Sequence, residues 1–209
     1  MPTDEQLADA PSRELNNGDS RVRSLHKKLI VQHINPDIDA FASIENSICT
    51  KFLSLDNHVK SLAGDAFSHK YSNSETVYAY PPNGCLHRFI SYMDGFKNAP
   101  LCVLSHQYAS YRMNQHIMNR RFDYYLIIGD RQKPATLCPS TKRGEEGTYF
   151  RPNHGPLVTY LHFRNIDYVY IYALFRDLYH IDELSKEDRL ELLRNKLMSS
   201  SGHRVCLLD

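Results

Sequence analysis

Residues Leu29 to Ser43 read LIVQHINPDIDAFAS, and the architecture turns on how they are read. Leu29, Ile30 and Val31 form a short apolar run after two lysines and before a polar loop, which predicts a buried strand. The loop His33-Ile34-Asn35-Pro36-Asp37-Ile38-Asp39 follows, with Pro36 stiffening the turn and biasing Asn35 away from helix. Phe41, Ile44, Ile48 and Phe52 then fall at i, i+3, i+7 and i+11, one stripe of an amphipathic helix. A strand–loop–helix unit sets His33, Asp37 and Asp39 at the carboxyl end of a strand, where open α/β sheets bind ligands. Imidazole with carboxylate suits manganese, zinc or iron, and clustered carboxylates suit magnesium. The plainer alternative is that Asp37 or Asp39 caps the helix and His33 is a satisfied polar group at a strand end.

Working outward, residues 58–63 and 75–80 are weaker strand candidates, and Pro81-Pro82-Asn83-Gly84 punctuates the chain. Leu86, Phe89, Ile90 and Met93 share one face of an expected helix. Leu101–Leu104 and Tyr124–Ile128 read as buried strands, separated by a polar helix over roughly residues 108–120. Residues 131–156, with four prolines, read as a long loop, and such loops are uncommon unless functional or mobile. Leu157–Phe163 reads as a strand. Tyr168–Tyr179 fits either strand or helix, and its Tyr168, Tyr170 and Tyr172 are expected to pack rather than to present a surface to bases. Ser185 caps a last helix carrying Leu190, Leu193 and Leu197. The expectation is a single α/β domain over 25–209, with a mostly parallel sheet and helices on both faces, after a flexible tail over 1–24.

Composition supports a globular chain. Of 209 residues, 42% are apolar and 23% charged, which argues against global disorder. No apolar run approaches the roughly 20 residues of a membrane span. The polar N-terminus MPTDEQLADAPSRELNNGDS lacks the apolar core of a signal peptide. With 25 basic and 24 acidic residues, no global charge calls for nucleic acid or anionic lipid. Five widely spaced cysteines without a CxxC pair read as reduced thiols, so a cytoplasmic protein is expected.

The string His33-x-Asn35-Pro36-Asp37-x-Asp39-Ala40, followed by Ala42-Ser43, resembles the first motif of the DHH phosphoesterase superfamily. That superfamily includes oligonucleotide phosphodiesterases, exopolyphosphatases and one class of inorganic pyrophosphatase. The resemblance covers about 15 residues and implies an α/β first domain with a divalent metal, manganese or magnesium. Two placements of the later motifs are open. In the preferred one, His106 stands where the second-motif aspartate would lie, and Asp130-Arg131-Gln132 replaces Asp-His-His. In the other, Asp130 is the second-motif aspartate and Asn153-His154-Gly155 is a decayed third motif.

Under the preferred placement His33, Asp37, Asp39 and Asp130 are the metal ligands, the three aspartates are catalytic, and all four are expected at one sheet edge. Arginine stays charged and is no ordinary ligand, so the site is depleted relative to the family. Arg131, Lys133 and Arg143, with Lys142 and Arg151 on the same loop, are the candidate substrate grip. The chemistry expected is attack on phosphorus by metal-activated water, on a small phosphate ester or short oligonucleotide. Catalytic members of that superfamily usually add a second C-terminal domain, often with a glycine-rich substrate motif, and the residues after Gly155 contain no such motif. A non-catalytic binding or assembly module, with a protein partner or a second copy, is therefore the alternative, and an unrelated structural protein is the third reading.

Overall fold

The computed structural model describes residues 20–54, 61–62, 64–107, 121–139 and 150–199. Two sheets are present. In the smaller, β1 (Arg21–Val22), β7 (Thr136–Pro139) and β8 (Phe150–Pro152) pair antiparallel in the order β1-β7-β8. The larger joins β2 (Ile38–Asp39), β3 (Lys51–Phe52), β4 (Val77–Ala79), β5 (Leu101–Gln107), β6 (Tyr124–Asp130), β9 (Val158–Arg164) and β10 (Leu197–Ser199). Its order is β10-β6-β9-β5-β4-β2-β3. Pairings β3-β2, β2-β4 and β4-β5 are parallel, whereas β5-β9, β9-β6 and β6-β10 are antiparallel. The sheet is therefore mixed, with one parallel half.

Alternation along the strands divides the core. Tyr78, Cys102, Leu104, Leu126, Leu161 and Phe163 pack with residues of α1 (Ser24–Ile34), α3 (Tyr168–Tyr179) and α4 (Lys186–Lys196). Val77, Ala79, Leu101 and Val103 face the other way, onto Leu86, Phe89, Ile90 and Met93 of α2 (Leu86–Met93). Helices thus cover both faces, as the alternation of elements predicted. The expected α2 stripe, β4, β5, β6 and β9 all form, and Tyr168–Tyr179 resolves as helix. Ser185 caps α4, its side chain accepting from the Asp188 N–H.

Two elements read from the key stretch are corrected. Leu29–Val31 is not a strand but part of α1, with Leu29, Ile30 and Ile34 buried and Val31 exposed. Three apolar residues in a row carry no period, so only packing distinguishes helix from strand. Asn35, left-handed at φ 47°, and Pro36 end the helix. Residues 41–52 form no helix. The Asp39 carboxylate takes the N–H groups of Phe41 and Ile48, and the Asn46 side-chain oxygen takes that of Ser43. Side-chain acceptors here compete with a helical ladder. Phe52 is buried in β3, while Ile44 is 39% exposed.

The expected loop over 131–156 contains β7 and β8, and β1 falls inside the expected tail. The remainder of that tail, the polar helix over 108–120, and most of the strand candidate over 58–63 lie outside the described residues. So do Lys142 and Arg143. Among the described residues no helix is long and apolar enough to cross a membrane.

Candidate functional site

Because β5 and β6 both run antiparallel to β9, they run the same way as β2 and β4. The carboxyl ends of all four strands therefore share one edge. Asp39 ends β2, Tyr80 follows β4, His106 lies near the end of β5, and Asp130 ends β6.

Asp39 is 2% exposed. Its Oδ1 accepts the Phe41 N–H at 3.4 Å and its Oδ2 the Ile48 N–H at 3.1 Å. Burial pushes its pKa up to about 7, against the pull of those two N–H groups and of the Lys27 charge. Asp39 lines a small cleft with Arg21, Asn46, Ile48, Tyr78 and Tyr80. Tyr80 reaches from that cleft to His106, its oxygen 2.6 Å from Nε2, and His106 Nδ1 lies 3.1 Å from the Thr159 hydroxyl. Burial lowers the His106 pKa to about 4, so the ring is neutral.

The other nominated residues are placed elsewhere. His33 is on α1, and its Nε2 sits 2.8 Å from the Asp177 carboxylate of α3, which also accepts from Arg176. Asp37 stands before β2, at the amino end of the parallel strands, and accepts the Thr76 N–H at 2.8 Å. Asp130 closes its own turn, accepting from the Gln132 and Lys133 N–H groups at 2.9 Å each. Its carboxyl is held below the usual range by those backbone bonds, with help from Lys196 and Lys133. His154 Nδ1 donates to the Arg131 carbonyl at 2.6 Å, so the loops of both motif placements meet at one corner. Arg131 and Lys133 are exposed on that turn, and Gly129 beside it fits closely. A Cβ on Gly129 would lie 2.6 Å from the Ala135 nitrogen and 2.9 Å from the Lys133 oxygen.

The expected metal set does not converge. His33 and Asp37 are absent from the carboxyl edge. Asp39 and Asp130 share it, but β2 and β6 are four places apart in the sheet, roughly 19 Å at 4.7–4.9 Å per strand. Ligand oxygens sit only about 2.0–2.6 Å from manganese-like or harder cations. Among the described residues, no three His, Cys, Asp or Glu side chains are grouped to hold a metal ion. As placed, His33, Asp37, Asp39 and Asp130 do not fit one shared divalent ion.

The thiols are equally unsuited to chemistry. Burial raises Cys49 to about 12, with the nearby Asp39 and Asp37 charges adding to the effect, and burial raises Cys102 further. Sequence reading missed Tyr78, Tyr80 and Arg21 at the cleft. The alternation in Glu75–Tyr80 put both tyrosines on one face, but nothing in the sequence placed that face against Asp39. No model of a known protein family matches the chain. No curated protein matches it in sequence either.

Proposed function

We propose that this chain is a single-domain DHH-like α/β module that binds a small phosphorylated ligand, or the end of a short oligonucleotide, without metal-dependent hydrolysis. One observation carries the reading: each nominated donor already has a place in the fold. His33 joins two helices, Asp37 closes onto Thr76, Asp39 holds the chain at 41 and 48, and Asp130 closes a turn. The turn beyond β6 exposes two cationic groups, Arg131 and Lys133, on either side of Gln132. Guanidinium and ammonium groups suit phosphate oxygens.

The second reading is the metal-dependent phosphoesterase, with manganese or magnesium. It is favoured by Asp39, His106 and Asp130 standing along one edge, where the motif resemblance puts the chemistry. One experiment separates the two. Adenosine monophosphate and a 5′-phosphorylated dinucleotide are titrated into the protein with and without manganese, followed by calorimetry and product analysis. Binding that needs no metal, is weakened by Arg131→Ala with Lys133→Ala, and leaves the ligand intact supports the module. Stoichiometric manganese uptake with hydrolysis lost in Asp39→Asn overturns it in favour of the enzyme.

A further inference from the structure

Residues 43–49 form the crossover from the carboxyl end of β2 back to the amino end of β3, a strap over the sheet face that carries Tyr78, and side chains tie them down. Asp39 holds the Ile48 N–H at 3.1 Å, and the Lys27 ammonium of α1 donates to the Ser47 carbonyl at 2.6 Å. Within the strap the bonds are local: Ser43 N–H to Asn46, Ser47 N–H to the Ser43 carbonyl, and the Ser47 hydroxyl to the Cys49 carbonyl. Ile48 is its buried apolar anchor, whereas Ile44 near its tip is 39% exposed. Few apolar contacts and side-chain tethers mark a segment of low local stability.

The closed position also carries a cost beneath it. Tyr78 is 1% exposed, and its hydroxyl has no hydrogen-bond partner among the described residues. It faces the same side of the sheet as Asp39, its register partner, and packs in the cluster that holds Ile48 and Cys49. A buried phenol without a partner destabilises the state that buries it. Water reaching that hydroxyl when the strap lifts removes the penalty, so the open state gains what the closed state lacks.

We infer that the 43–49 strap is a lid, latched by Asp39 and Lys27, that lifts without unfolding the sheet and uncovers Asp39 and Tyr78 at the carboxyl edge. Opening releases the carboxylate from the Ile48 N–H and leaves an acceptor and a phenol donor side by side. The inference does not depend on the ligand proposed above, since it concerns the free chain.

Native-state hydrogen exchange on the full chain tests it. The Ile48 amide is expected to exchange at least 100-fold faster than amides of β5 and β9, at a rate insensitive to low denaturant. Lys27→Met removes a latch and should speed Ile48 exchange further. Tyr78→Phe removes the unpartnered hydroxyl and leaves both latches, so it should slow Ile48 exchange about ten-fold relative to wild type. Ile48 exchanging only with the β5 and β9 amides overturns the lid. So does a Tyr78→Phe protein in which Ile48 exchange is unchanged or faster.

Discussion

Between pH 4 and 6.5, buried histidines and one buried aspartate move stability in opposite directions. His106 and His162 are held neutral by burial, at about 4 and about 3, and burial also lowers His26. In this window the unfolded chain binds more protons at these rings than the folded one, so their contribution is lost as pH falls. Asp39, raised to about 7, does the reverse, because its folded form holds the proton and stability falls as pH rises. Three rings outweigh one carboxyl, so unfolding free energy should drop on acidification, with about 1.4 kcal/mol per pH unit for each net proton. Asp39→Asn should steepen that dependence, and His162→Asn should flatten it. Urea unfolding at several pH values gives the slopes, and stability rising on acidification would contradict the histidine environments.

At the scale of elements, the two readings of residues 41–52 predict different costs. A helix stripe would bury Ile44 and Phe52 alike. In the observed β3 and strap, Phe52 is 4% exposed and Ile44 is 39% exposed. Phe52→Ala should therefore cost about 3–5 kcal/mol and Ile44→Ala less than about 1 kcal/mol in denaturant unfolding. Equal losses would restore the helix. The turn after β6 makes a separate demand. Because an added Cβ on Gly129 meets backbone rather than a yielding side chain, Gly129→Ala should destabilise by about 1–3 kcal/mol. A thermal midpoint equal to wild type would show that the turn gives way easily.

On the scale of the whole molecule, a shared metal would make stability depend on that metal. An ion at one hundred times its dissociation constant adds about 2.7 kcal/mol, several degrees of thermal midpoint for a chain of this size. Donors on separate elements make no such linkage. Chelator treatment of the purified protein, followed by millimolar manganese, should leave the midpoint unchanged to within about 1 °C. A rise of several degrees on adding manganese would mean that His33, Asp37, Asp39 and Asp130 gather after all.

Elements marked by a helical stripe, a longer apolar run or a capping residue are legible in the residues themselves. The α2 stripe, the apolar runs of β5 and β6, and the Ser185 cap each follow from residues within a few positions of one another. The carboxyl edge is legible in part, since Asp39 and Asp130 do stand on it. Only tertiary structure decides that Leu29–Val31 is helical, because an apolar triplet fits either element until its neighbours are known. Tertiary structure also decides that β9 enters between β5 and β6, which sets Asp39 and Asp130 four strands apart. A motif records which donors the chain carries in order. Whether they meet depends on strand order and on which backbone groups claim them first, and both arise from contacts between residues far apart in the chain.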